Sequence, residues 1–199
     1  MKNEFVYNNA EAPALIRIEQ VIAEKPGGGL LKDAGYNVPE TTPVGLDTGG
    51  KYKVIKCAKV KTKYSGSETS LVVEPGSGIA KNDYIAFDGM AVQVSAVAAA
   101  ADKDTLTIGA LTGKTINIGD FVYQAAKAAT GEDEENMAEP IVKPLYIVSD
   151  GHPTAKNGIV AFAGNGDTPV RLINIANVRK ETCCFGAEIE AMLPGINRV

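Results

Sequence analysis

The stretch running from Ser70 to Gln124 decides the fold. Ser70-Leu71-Val72-Val73 leads to Ile79-Ala80-Lys81-Asn82-Asp83-Tyr84-Ile85, and the pattern returns as Thr105-Leu106-Thr107-Ile108 leading to Ile116-Asn117-Ile118-Gly119-Asp120-Phe121-Val122. The leading runs are offset by 35 positions and the following ones by 37. In each copy a strand-forming run passes through a Gly-bearing loop to a turn, after which an Asp, an aromatic and a β-branched residue follow. Asn82 and Gly119 both suit turn geometries that need positive φ. Two copies are too few for a solenoid. The spacing therefore predicts a mainly β protein, a small β-barrel or β-sandwich built from two related strand-turn units. Within the first copy, Asp88-Gly89 stands between Tyr84-Ile85-Ala86-Phe87 and Met90-Ala91-Val92-Gln93-Val94, a strong local signal for a β-hairpin.

Composition agrees with strands. The 199 residues include 18 Val and 16 Ile against 10 Leu, a bias toward β-branched side chains that pack well on a pleated sheet. Gly and Pro together number 31, which implies many tight turns. The net charge of −4 gives no general electrostatic reason to bind nucleic acid or an anionic membrane. No signal-peptide-like apolar stretch follows Met1-Lys2-Asn3-Glu4, and the uncharged run from Gly89 to Ala101 is too short to span a bilayer. Of the three cysteines, Cys183 and Cys184 are adjacent and Cys57 stands apart, so no disulfide framework is expected.

Four segments are expected. Residues 1–30 form an N-terminal arm with Pro and Gly borders, in which Leu15 to Ile22 fits a helical face or, by a small margin, a strand. Residues 31–125 form the β-rich domain containing the repeat. Within it, Val38 to Asp47 reads as extended chain that Pro39 and Pro43 keep out of any central strand. The lysines at 59, 61 and 63 alternate with Val60 and Thr62 to give a strand one face of which is solvated. Residues 126–140 carry Glu132-Asp133-Glu134-Glu135, a run that repels itself and reads as an acidic linker or long loop. Residues 141–199 form a smaller C-terminal β-rich (α+β) segment, with strand runs at 144–149, 158–163 and 170–178 and a short helix ending before Pro194-Gly195.

Catalytic chemistry is sought and not found. Gly109-Ala110-Leu111-Thr112-Gly113-Lys114-Thr115 resembles a phosphate loop but has three residues between its glycines instead of four, and the sequence after it alternates like a strand. His152 is the sole histidine, which removes multi-histidine metal sites and leaves a triad unsupported. Cys183-Cys184 reads as small buried thiols beside Phe185. The acidic run lacks the alternation of a calcium loop. Lys51, Lys53, Lys56, Lys59, Lys61 and Lys63 sit near Tyr52 and Tyr64 without an arginine, which favours solvated or edge-protecting lysines over a nucleic-acid surface. The expectation is a chain with no catalytic residues, no cofactor and no metal.

The Ala12-Pro13 lead-in, the Thr42-Pro43-Val44-Gly45 segment, the Lys56-Cys57-Ala58-Lys59-Val60 strand and the paired Asn82-Asp83-Tyr84-Ile85 and Gly119-Asp120-Phe121-Val122 units resemble head fiber proteins of tailed bacteriophages, commonly carried in prophages. The likeness covers about the first two thirds of the chain. It implies a non-enzymatic virion component made in the bacterial host cytoplasm and bound to the capsid exterior. The implied partners are the major capsid protein of the phage head and further copies of the chain, with a trimer as the symmetry offered by analogy. It implies neither nucleic acid nor membrane as a partner. The alternatives are a phage tail or connector protein and a carbohydrate- or cell-surface-binding β module; the absence of Trp argues against the latter.

Overall fold

The computed structural model describes residues 17–149 and 158–199. Among the described residues fifteen strands dominate, as the β-branched excess predicts. The first sheet contains β1 (Ile18–Glu24), β2 (Gly29–Leu31), β4 (Pro43–Leu46), β5 (Tyr52–Val54), β12 (Tyr146–Ser149), β14 (Thr168–Val178) and β15 (Ile196–Arg198). Its neighbours run β14, β12, β4, β5, β2 and back to β14, which closes a five-stranded barrel. The long β14 makes this possible: residues 168–170 pair with β2, while residues 173–178 extend past the barrel to carry β1, and residues 176–178 also carry β15. Leu31, Val44, Val54, Val148 and Leu172 fill the barrel. A small separate pair, β3 (Val38–Pro39) with β13 (Ile159–Ala161), lies against it.

The second sheet comes from the middle of the chain: β6 (Cys57–Lys59), β7 (Ser70–Val73), β8 (Tyr84–Phe87), β9 (Met90–Ala99), β10 (Asp104–Ile108) and β11 (Phe121–Ala125), ordered β6-β11-β8-β9-β10-β7. Its ends meet. Val60 bridges Val73, and the Lys61 N–H donates to the Val72 carbonyl at 2.8–3.0 Å spacing typical of a ladder (2.9 Å). Burial along β10 alternates, with Leu106 and Ile108 inward and Thr107 outward. These inward residues join Val60, Leu71, Val73, Ile85, Val94 and Val122 in one core.

The two repeat copies are equivalent in three dimensions. β7 pairs antiparallel with β10, placing Leu71 opposite Leu106, and β8 pairs antiparallel with β11. The two turns match bond for bond. Asn82 and Gly119 have φ of 72° and 91°. Asp83 Oδ2 accepts from Ala80 N, as Asp120 Oδ2 accepts from Asn117 N, both at 2.9 Å. Asn82 N donates to Val94 O, as Gly119 N donates to Val60 O, both at 2.8 Å. The Asp88-Gly89 hairpin forms as expected, with both residues at positive φ.

One expectation is corrected. β4, which starts at Pro43, lies between β12 and β5 and is therefore a central strand. Proline is tolerated because it occupies the first position, where its carbonyl still accepts the Ile55 N–H at 2.8 Å. In the first sheet residues 29–54 pair with residues 146–178, and the break between the sheets falls near Ile55 and Lys56. Of the expected arm, residues 1–16 lie outside the described residues, Ile18–Glu24 is a strand on β14, and Gly29–Leu31 begins the barrel. The acidic segment is a loop with one short turn of 3₁₀-helix at Glu134–Asn136; Met137 packs on Gly89 and the Ala138 N–H bonds the Gly89 carbonyl.

A third core joins the sheets. Ile147, Ile173, Ala176 and Val178 from the first meet Ala86, Ala91, Tyr123 and Ala125 from the second, with Phe185, Ile189 and Leu193 between them. Ile189 belongs to α1 (Ala187–Ala191), which ends before Pro194-Gly195 as read from the sequence. Its neighbour Glu188 reaches across: Oε1 accepts the Asp88 N–H at 2.9 Å, and Asp88 in turn pairs with Lys114 at 2.8 Å. Burial pushes the Glu188 carboxyl up, against the lowering effect of the Asp88 N–H. The folded chain thus takes up this proton at a higher pH than the unfolded chain does, so stability falls as pH rises from the ordinary glutamate range through the raised value. Glu188→Gln keeps an acceptor oxygen and removes the titration. Urea midpoints measured across that window should slope downward with pH less in the variant than in the parent; identical slopes would assign the dependence to other groups.

Candidate functional site

Cys57 and the adjacent pair Cys183-Cys184, far from it in sequence, line one cavity of about 330 Å³ at the junction of the sheets. Cys57 arrives on β6. Cys183 and Cys184 arrive on the loop between β14 and α1. Behind them Thr41, fully buried at a φ of 70°, is held by its N–H to the Val148 carbonyl, and its Oγ1 accepts the Cys184 N–H at 3.0 Å. A β-branched residue in the left-handed region is a true outlier, so the surrounding bonds must outweigh the strain. Arg17 closes another side, where Nη1 donates to the Thr182 carbonyl and to Cys184 Sγ at 2.9 Å. Tyr36 also lines the cavity, and burial raises its phenol far above the ordinary range.

This is an environment that keeps thiols protonated. Burial pushes Cys57 well up, with Cys184 and Cys183 adding to the effect. Burial also raises Cys184 despite the opposing Arg17 charge, and raises Cys183. Each thiol donates to a backbone carbonyl: Cys57 to Ile55, Cys183 to Phe185 and Cys184 to Glu40. Because the thiolate is the nucleophile, all three should react slowly. A disulfide-exchange reagent at neutral pH should label native protein at least ~100-fold more slowly than protein in denaturant; prompt stoichiometric labelling of any one of them in native protein would contradict this environment.

The other sequence candidates fall elsewhere. His152 lies outside the described residues. Gly109 to Thr115 is a β connection in which Gly113 turns at φ 78° and Tyr64 bridges Ile116 directly after; no helix follows, and Lys114 is committed to Asp88. Among the described residues, no cluster of three or more His, Cys, Asp or Glu is placed to hold a metal ion, and no helix is long and apolar enough to cross a membrane. The lysine-rich run is largely paired within the chain: Lys51 with Asp167, Lys56 with Asp83, Lys59 with Glu74 and Lys61 with Asp102.

One constellation escaped the sequence reading. Asp83, which caps its own turn, also accepts from Lys56 Nζ at 2.9 Å and from Gln124 Nε2 at 3.0 Å. The repeat signalled a turn aspartate at this position; the two partners come from β11 and the crossing between the sheets, which no local pattern brings together. A second cavity, about 270 Å³, opens over this group. In comparisons with known proteins, the chain matches no family model, no curated protein and no solved structure.

Proposed function

We propose that the chain is a non-enzymatic structural protein of a phage virion, a head fiber or decoration protein bound to the capsid exterior, with the major capsid protein and further copies of itself as partners. The observation carrying this reading is the equivalence of the Asn82-Asp83-Tyr84-Ile85 and Gly119-Asp120-Phe121-Val122 units, because these are the paired motifs on which the likeness to head fiber proteins rests. Two sheets fused through a common apolar core suit a component that must persist outside a cell, and thiols held protonated in a cavity suit a role without nucleophilic chemistry. The acidic balance fits an outward-facing position better than contact with packaged DNA. Mass spectrometry of particles purified after induction tests the proposal. The protein is expected in stoichiometric ratio to the capsid subunits and to remain on DNA-filled heads that lack tails. Its absence from intact virions would overturn the reading, and presence only on tails would move it to the tail or connector.

A further inference from the structure

We propose that the cavity over Asp83 binds a small phosphorylated polyol. Asp83 and Gln124 line this cavity together with Lys32, Lys53 and Lys56. Gln124 is 4% exposed, and Nε2 donates to Asp83 Oδ1 at 3.0 Å, which tells its amide nitrogen from its oxygen. Oε1 is then left as a buried acceptor with no donor, and in native proteins such an atom is rarely left unmatched. Asp83 Oδ2 already accepts from Lys56 and Ala80, whereas Oδ1 accepts only from Gln124 and retains a lone pair for a further donor. A hydroxyl-bearing ligand supplies what these two residues lack, after a small rotation of the Gln124 amide to open Oε1.

The lysines ask for negative charge. Lys56 is neutralised by Asp83, whereas Lys32 and Lys53 line the same cavity and form no ion pair among the described residues. Asp33 also lines it, and its Oδ1 accepts the Gly35 N–H; its charge works against a bare anion, and its remaining acceptor capacity favours a ligand with more than one hydroxyl. A phosphate held by Lys32 and Lys53 with hydroxyls directed to Gln124 and Asp33 answers all of these demands together, which neither inorganic phosphate nor a neutral polyol does. A volume of about 270 Å³ accommodates a ligand the size of glycerol phosphate. This inference is independent of the capsid reading and stands or falls by a separate measurement.

The test is calorimetric titration of the full chain with sn-glycerol 3-phosphate, inorganic phosphate and glycerol, each at millimolar concentration. Glycerol phosphate is expected to bind, phosphate more weakly and glycerol not at all. The double variant Lys32→Gln, Lys53→Gln changes side chains on the solvent side of the cavity and should keep the parent's thermal unfolding while weakening glycerol phosphate about ten-fold or more. Gln124→Leu should abolish the advantage of glycerol phosphate over phosphate; if that variant misfolds, the lysine double variant still decides. A short poly(glycerol phosphate) that binds more tightly than the monomer would identify a polymer as the source, and tighter monomer binding a free metabolite. No binding of glycerol phosphate, equal binding by the double variant, or phosphate binding as tightly as glycerol phosphate would each overturn the proposal.

Discussion

Phe185→Ala is expected to lower the free energy of unfolding by about 3–5 kcal/mol and to separate the unfolding of the two sheets. Phe185 is fully buried, and the core around it draws residues from both sheets: Ile147, Ile173 and Val178 on one side, Ala86, Ala91 and Tyr123 on the other. Several of the second-sheet contributors are alanines, too small to close around the volume a phenyl ring leaves. The cavity contribution therefore adds to the lost transfer energy instead of being relieved by collapse. The backbone bonds at this residue survive the change, since the Phe185 carbonyl goes on accepting from Arg198 Nη1 at 3.1 Å and from the Cys183 thiol. Each sheet keeps its own core, so the variant should lose coupling before it loses either sheet. Urea unfolding followed by far-ultraviolet circular dichroism and by tyrosine fluorescence should give coincident transitions in the parent and separated ones in the variant. Phe162→Ala, at a ring 52% exposed, should change stability by no more than about 0.5 kcal/mol. A single coincident transition in Phe185→Ala, with a loss below about 1 kcal/mol, would show that the shared core does not couple the sheets.

What the sequence made legible follows the range of the interaction. The Asp88-Gly89 hairpin, the positive-φ turns at Asn82 and Gly119 and the helix stop at Pro194-Gly195 depend on residues a few positions apart, and all of them form. The small margin in favour of a strand around Ile18 is also met. Barrel closure was not legible, because it depends on Leu31 meeting Thr168 across most of the chain. Pro43 misled for a related reason: its missing N–H excludes it from a strand interior but says nothing against the first position of a strand that others then flank.

The candidate sites were less legible than the fold. Nothing near Cys57 signals Cys184, yet β6 and the loop before α1 place both thiols on one cavity wall. Asp83 was recognised as a turn residue through the repeat. Asp120, its counterpart, caps the equivalent turn and makes no other side-chain bond among the described residues, so the additional bonds of Asp83 to Lys56 and Gln124 mark where the two copies diverge. The repeat locates the position, and only the packing of β11 beside β8 adds the chemistry.

Gly45→Ala should be the most damaging of the single-methyl additions to the barrel strands, costing about 3 kcal/mol or more. Gly45 is buried in β4, and a Cβ there would stand 2.1 Å from the Lys143 carbonyl oxygen and 2.8 Å from Val142 Cγ2. The closest obstacle is backbone, just before the segment that enters β12, so no rotamer change relieves it. β4 must shift out of register with β12 or β5, and both pairings serve barrel closure. Gly109→Ala is the control with the opposite sign. It follows β10, has no positive φ, and its Cβ would meet only Val92 at 3.9 Å, an ordinary contact. Reduced freedom in the unfolded chain should make that change neutral or stabilising by about 0.4–1 kcal/mol. Urea unfolding of both variants measures the pair. If Gly45→Ala melts with the parent, the approach of Lys143 to β4 is looser than the structure has it, and the barrel tolerates a strand separation that its closed pairing does not allow.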